Sequence, residues 1–354
     1  FKYSYLYYMY FKNIKTLLKK IIAPLYYFLY DNLDFKGKRL LKRNVSLKNC
    51  HDGKRVFLVC SGSSINGIDL SLLENEETMC VGHFYHHKLV TKLNPKMFLL
   101  GETYKNIVNR KDYIDQYNNL DNEDFKDSEF LVKHKEFLKN ENSRDYWYCN
   151  QIDQSFKEGS TIFVKSEDHS FVKKNNLYLD KKVVYTKYAG LSRKKEFTLD
   201  DFDLTKRMYA FNAGSVTCAL TTLINLGFKE IYLLGAGYTM KPRLELHFYN
   251  NYIFPIEKGY EKALSNANEI IDSHNKYFKS NIKLFKLYEK DGYYHSQYVQ
   301  DFKDDENAFS HKQVNNLAKS NNIKIINVVP DGFESPIYEK VSWNEVKDIL
   351  KNRK

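Results

Sequence analysis

Histidine is the side chain best suited to proton transfer near neutral pH. Two of the ten histidines stand on separate segments where that chemistry would be of use: His247 in "LHFYNN" and His311 in "FSHKQVNNLAKS". The pattern around the second predicts Ser310 as a helix N-cap, with His311 just inside the helix. Small polar residues form another set of candidates. "RVFLVCSGSSING" runs from an apolar stretch at 56–59 directly into Ser61, Gly62, Ser63 and Ser64. A buried strand feeding a tight small-residue turn and a helix is how α/β proteins open a phosphate or nucleotide site, because N–H groups at a helix start lack internal partners. "FNAGSVTCALTTLINLG" repeats the arrangement, with Asn212, Gly214, Ser215 and Thr217 leading into a helix that ends at Gly227. The first loop lacks GxGxxG and the lysine of a P-loop, so ordinary dinucleotide or ATP binding is not supported.

Gly82 and His83 open "GHFYHH", directly after a strand candidate. Aromatic rings there suit stacking on a base or sugar, and plain aromatic packing under a loop is the alternative. A metal site would need ligands at workable spacing together with a partner elsewhere. The five cysteines, Cys50, Cys60, Cys80, Cys149 and Cys218, contain no CxxC and read as reduced, buried thiols of a cytosolic protein. Neither a metal nor a cofactor is expected.

The elements that must position these residues are apolar runs separated by helix-period stretches. Strands are expected at 56–60, 78–82, 96–100, 161–165, 182–186, 230–235 and 323–329. Short continuous apolar strands alternating with helices argue an α/β fold with a mostly parallel sheet covered on both faces. Gly235 closes the sixth run, and "AGYTM", with Tyr238 and Thr239, follows it. Residues 104–160 read as a polar insertion, helical or irregular. In a second insertion, 255–308, a helix is expected at 261–278 and a loop that covers a pocket at 289–309.

The chain carries a formal net charge of +11. Residues 1–55 hold thirteen Lys/Arg against three acids, so the rest is nearly neutral. A basic arm at 1–50 on a neutral body (51–354) offers no continuous track for a phosphate backbone, and nucleic acid is not expected as a partner. The arm has no uninterrupted apolar run of about 18 residues, so it is not a transmembrane span. Tyr10, Phe11, Ile14, Leu17, Leu18, Ile21 and Ile22 share one helical side, and Lys12, Lys15, Lys19 and Lys20 fall largely on the other. Residues 1–30 thus read as an interfacial helix on an anionic membrane. The plainer alternative is a helix packed on the body or across a homo-oligomer.

Taken together, these blocks resemble bacterial sialyltransferases of glycosyltransferase family 42, over about 55–335. "VFLVCSGSSINGIDLSLL" is similar to the family's opening strand and loop, and "VGHFYHHKL" to its second strand. "NAGSVTCALTTLINLGFKEIYLLG" resembles the nucleotide-binding helix with the strand after it, and "AFSHKQVNNLAKSNNIKIINVVPDG" the closing histidine block. The resemblance implies a Rossmann-like, metal-independent, GT-A-like transferase using a CMP-activated acidic sugar such as sialic acid or a Kdo-like sugar. Gly62, Ser63 and Ser64 would then face phosphate or ribose, and Gly214, Ser215 and Thr217 would hold the nucleotide. His311 would be the base, while Tyr238, Thr239 and His247 would face the leaving phosphate. If His311 is unperturbed, the rate should fall as pH drops through about 6.5. The acceptor would be a surface glycan or glycolipid at the inner face of a bacterial cytoplasmic membrane. A pterin pyrophosphokinase-like enzyme and a non-catalytic nucleotide-sugar-binding protein are the alternatives.

Overall fold

A computed structural model describes residues 34–62, 64–65, 68–87, 89–101, 103, 144–189, 197–209, 214–239, 258–278, 282–290, 292–300, 306–331 and 333–352. The interfacial helix expected at 1–30 lies outside them, as does most of the 104–160 insertion.

The seven apolar runs form strands, all in one sheet: β1 (Arg55–Val59), β2 (Thr78–Val81), β3 (Met97–Leu99), β4 (Thr161–Lys165), β5 (Lys182–Thr186), β8 (Glu230–Leu234) and β11 (Lys324–Val328). An eighth, β12 (Glu339–Val341), extends it, and the order is β12-β11-β8-β1-β2-β3-β4-β5 with every pairing parallel. The strands read as apolar throughout because both faces are covered. Val56 and Leu58 pack on one side, with Cys218, Leu220 and Leu223 of α5 (Ser215–Leu226) and Val314 and Ala318 of α7 (Glu306–Ser320). Phe57 and Val59 pack on the other, with Ile152 of α3 (Arg144–Ser155), Val172 of α4 (His169–Lys174) and Val346 of α8 (Trp343–Lys351). The α/β class with a parallel Rossmann-type sheet is the observed fold. A minor pair, β6 (Tyr188–Ala189) and β7 (Met208–Tyr209), lies beside it.

Helix α5 is buried along almost its whole length, although it carries three threonines after its first residue. They satisfy themselves: Thr221 Oγ1 donates to Thr217 O at 3.1 Å and Thr222 Oγ1 to Cys218 O at 2.8 Å. The Tyr188 hydroxyl bonds Thr222 Oγ1 at 2.9 Å.

Three expectations need correction. No loop occupies the described part of 289–309: β9 (Ile282–Lys290) and β10 (Tyr293–Gln300) form an antiparallel hairpin turning at Gly292, on which α6 (Tyr260–Phe278) packs. The Asp-Gly pair between two aromatic-rich segments is a hairpin signal, and polarity masked it. Helix α7 begins at Glu306 instead of at Ser310, which lies buried in its second turn with His311. Of the cysteines, Cys50 is exposed while the other four are buried.

Residues 34–50, counted with the arm in sequence, pack on the body through α1 (Phe35–Lys42) and a short 3₁₀ turn, burying Leu40, Leu41 and Leu47. Asn44 Nδ2 donates to the carbonyls of Tyr185 and Leu204 at 2.8 and 3.0 Å. The side chain of Asp34 caps α1 by accepting from Gly37 N, and also receives the Lys187 ammonium at 2.5 Å. Burial alone would raise the Asp34 carboxyl's pKa, but Lys187 and the Gly37 N–H outweigh it and the pKa is lowered. The Lys187 side chain is only 5% exposed, so its ammonium depends on partners within the protein, of which Asp34 is one. Asp34→Ala should therefore lower stability at pH 7 by about 1–3 kcal/mol, read from the urea midpoint. Because the folded pKa is depressed, that contribution is complete above about pH 4 and fades as the carboxylate takes its proton, so wild type and variant should converge in acid.

Candidate functional site

Four neighbouring strands, β8, β1, β2 and β3, each run at or soon after their C-terminal ends into a glycine: Gly235, Gly62, Gly82 and Gly101. The chain adds β2 to β5 on one side of β1 and then returns to place β8 on the other. The gap above β1 and β8 is thus the topological switch point, where open parallel sheets take their ligands.

The exits are stitched together. Cys60 N–H donates to Leu234 O and Gly62 N–H to Gly235 O, both at 2.8 Å. A Cβ on Gly62 would stand 2.2 Å from Gly235 O, and one on Gly235, whose φ is +72°, 2.5 Å from Cys60 O. The Gly62 N–H is therefore used by the protein and not offered to a phosphate. Ser61 is buried, and its hydroxyl donates to Val81 O at 3.2 Å, tying the loop to β2. The Ser64 hydroxyl, also buried, has no hydrogen-bond partner among the described residues, the kind of orphan that a bound polar group satisfies. Ser63 lies outside the described residues. No α-helix follows this loop in the described residues. After Ile68, Asp69 caps a single 3₁₀ turn, Leu70–Leu73, through Ser71 N, so the anion-binding helix start expected after β1 is not found there.

The helix start lies instead on α5. Gly101 packs against it so closely that a Cβ would stand 2.5 Å from Ser215 Oγ, which sets the start of α5 over the exit of β3. Gly214 caps the helix without a side-chain bond, Thr217 Oγ1 donates to Gly214 O at 2.9 Å, and no acid occupies the first turn. Such an end favours an anion. Asn212 and His247 are not among the described residues.

Gly82 begins a 3₁₀ turn through His86, and the side chains of His83 and His86 are not described. Phe84, Tyr85 and His87 are buried. His87 stacks on Phe84 at 4.9 Å and its Nδ1 accepts from Leu89 N at 3.2 Å, which is aromatic packing under a loop. Among the described residues no group of three or more His, Cys, Asp or Glu could hold a metal ion.

Gly237–Thr239 forms a 3₁₀ turn beyond Gly235; the side chain of Tyr238 is not described. Thr239 is fully buried, its hydroxyl donating to Ala236 O at 2.7 Å and accepting from Asn327 Nδ2 at 2.9 Å. Asn327, the one buried polar residue of β11, was not singled out from sequence, though its polarity within an apolar run was the signal.

His311 is 2% exposed, and its Nδ1 is hydrogen-bonded to the Tyr338 hydroxyl with the two rings edge to face at 5.7 Å. Burial depresses the imidazole to a pKa of about 3 and, with Cys60 adding to it, pushes the Tyr338 phenol well above its usual value. The Tyr338 ring belongs to the same apolar core cluster as Cys60, the residue that follows β1. For Nε2 to accept a proton, the ring must carry its own on Nδ1, donating to Tyr338 Oη. Tyr338 would then be a positioning residue, one that nothing local in the sequence announces. The acid limb expected near pH 6.5 does not apply to a ring in this environment. A cavity of about 350 Å³ lies at the opposite edge of the sheet, among residues that precede or begin the strands, such as Glu77, Lys96, Ser160 and Lys182.

No protein-family model matches the chain, and no curated protein does. A solved structure that aligns with it is the sialyltransferase CstII from Campylobacter jejuni in complex with a substrate analogue, cytidine-5′-monophosphate. The two share 14% identity over 82% of this chain and 86% of that one, with a TM-score of 0.34. A likeness of that size carries no argument about ligand or reaction.

Two outcomes follow from the geometry. Gly62→Ala should cost about 1–3 kcal/mol by overpacking the β1–β8 exit. Gly237→Ala, where an added Cβ meets nothing within 4 Å, should be neutral or stabilise by up to about 1 kcal/mol. Chemical denaturation distinguishes the two. For His311 the unfolded chain binds a proton below about pH 6.5 and the folded ring resists it down to about pH 3. Stability should therefore decline as pH falls through that window, and in His311→Gln this part of the slope should vanish.

Proposed function

We propose that the protein is a glycosyltransferase that moves an acidic sugar from a CMP-activated donor to a glycan or glycolipid acceptor. The observation that carries the reading is the crevice at the β1–β8 switch point. There the buried Ser64 hydroxyl lacks a partner among the described residues, the start of α5, which has no side-chain cap, lies over the β3 exit, and His311 bonds Tyr338, whose ring joins the core cluster of Cys60 just past β1. The sequence blocks that resemble family 42 sialyltransferases fall on these same elements.

In this reading the nucleotide phosphate lies toward the start of α5, where the helix end and the hydroxyls of Ser215 and Ser64 favour negative charge. The acceptor hydroxyl attacks the donor's anomeric carbon, its proton passes to Nε2 of His311, and the bond to the phosphate oxygen breaks to release CMP. Tyr238, Thr239 and His247 remain the candidates for hydrogen bonds to that phosphate. Thr239 would have to give up its bond to Ala236 to serve. A base with a pKa of about 3 is weak, and an anionic donor beside it would raise that value. The arm at 1–30 would hold the protein at an anionic membrane surface. No helix among the described residues is long and apolar enough to cross a membrane.

The test has two parts. CMP should raise the melting temperature more than UDP, GDP or ATP do, and EDTA should leave the shift intact; a shift requiring Mg²⁺ and ATP would favour the pyrophosphokinase alternative. With a CMP-sugar and a soluble acceptor, His311→Ala should lower kcat by about 10²-fold or more with little change in nucleotide affinity. The acid limb of kcat, which reports the loaded enzyme, should lie at higher pH than that of kcat/KM. CMP binding with no turnover in any donor and acceptor panel would leave a binding protein in its place.

A further inference from the structure

Helix α1 and the 3₁₀ turn after it present six cations, Lys36, Lys38, Arg39, Lys42, Arg43 and Lys48, all exposed, and the stretch 35–48 contains no acid. Two large apolar side chains stand exposed among them, Phe35 at 74% and Val45 at 69%. Helix α4, more than 120 residues further along the chain, continues the same face. Lys36 Nζ donates to Ser170 Oγ at 2.9 Å, and the exposed Lys173 and Lys174 close the last turn of α4. Glu167 is the exposed acid beside them, while Asp168 is buried. The imidazole of His169 feels this field: its pKa is lowered, first by burial and then by Lys36, Lys173 and Arg43. Cations from two elements thus converge on one surface of a body that is otherwise nearly neutral.

The place of this surface matters. The Asp34–Lys187 pair fixes the start of α1 just beyond Thr186, the C-terminal end of β5. That is the edge of the sheet on which the β1–β8 crevice opens. Four interstrand steps separate β5 from β1, about 19 Å at the usual spacing.

We propose that the α1–α4 face of the folded body is a docking surface for an anionic lipid bilayer, holding the C-terminal edge of the sheet, with its crevice, close to the headgroups. Exposed cations neutralise lipid phosphates while Phe35 and Val45 enter the headgroup layer, a combination that suits a membrane. A nucleic-acid strand would have a use for the cations and for stacking on Phe35, and none for Val45. The proposal concerns where the protein sits, and it stands whether or not the crevice transfers a sugar.

The full chain is tested by co-sedimentation with phosphatidylcholine vesicles, with and without phosphatidylglycerol. Each cation near a charged surface contributes roughly fivefold to partitioning, so Arg39→Glu, Lys42→Glu, Arg43→Glu and Lys173→Glu together should reduce binding by at least about tenfold. The arm is intact in this variant, and deleting residues 1–30 should leave a weaker, salt-sensitive affinity in an otherwise wild-type chain. A second readout does not depend on charge reversal. The fluorescence added by Phe35→Trp should be quenched by brominated lipid, and that added by Phe309→Trp, at an exposed position on α7, should not. Vesicle binding unchanged in the fourfold variant, equal quenching at the two positions, or tighter binding to an oligonucleotide than to anionic vesicles at the same salt would each overturn the proposal. Retained vesicle binding with no CMP-induced thermal shift would leave the surface standing and remove the transferase reading alone.

Discussion

Everything at the candidate site hangs on two parallel strands leaving the sheet side by side. β1 and β8 pair along their full length, and the pairing continues past the strand ends, through Cys60 N to Leu234 O and Gly62 N to Gly235 O. Two backbones can only approach so closely where no Cβ intervenes, and Gly62 meets that condition against Gly235 O while Gly235 meets it against Cys60 O. The consequence runs outward. Ser61 is held against Val81, Gly82 is held against Ser61, and Gly101 lets Ser215 bring the start of α5 over the sheet. The glycines are therefore spacers that set the height of the crevice floor, and the ligand-facing chemistry falls to the few polar groups left above them.

Burial decides which polar groups those are. The sheet is covered on both faces, so any polar side chain within it must find a partner or cost about 1–3 kcal/mol. Thr239 and Asn327 answer each other, as do His311 and Tyr338. Each pair joins β11 or the segments flanking β12 to elements that start elsewhere in the chain, and so fixes the loops that rim the crevice on the β8 side. The same burial makes His311 a ring that stays neutral over the physiological range, whatever its use. The Tyr338 hydroxyl can donate to Nδ1 or accept from it, and only the second arrangement leaves Nε2 as the basic nitrogen.

Continuous apolar strands were legible because both faces of the sheet are buried, so β1 to β5, β8 and β11 need no alternation to stand out. β12 escaped notice because it is three residues long on the sheet's edge, two of them charged, and paired on one side only. The β9–β10 hairpin was hidden by its polar composition even though its turn carried a clear signal. Helix α7 was started late because Ser310, a good cap in isolation, sits buried inside it. At the site, Ser61, Gly62, Ser64, Gly82, Gly214 and Gly235 fall on one edge of the sheet, as strand ends read from sequence imply. Gly101 and Tyr338 were not found, since what marks them is a neighbour 114 or 27 residues away. Close approach between distant segments has no local signature.

Charge distribution adds a constraint that composition alone conceals. A formal charge of +11 spread evenly over the body would repel itself and attract polyanions without direction. Here much of the described excess is gathered on α1, and one half-buried carboxylate, Asp34, both caps that helix and pins it to Lys187 at the end of β5. Removing the cap would cost α1 its N-terminal bond and Lys187 one of its partners, while Leu40, Leu41 and the Asn44 bonds still hold the segment. This ion pair, with buried Leu40, Leu41 and Leu47 and the two Asn44 bonds, fixes the basic face relative to the sheet. A bilayer that attracted α1 would also orient the body, because the element it held would already be locked to the strand edge.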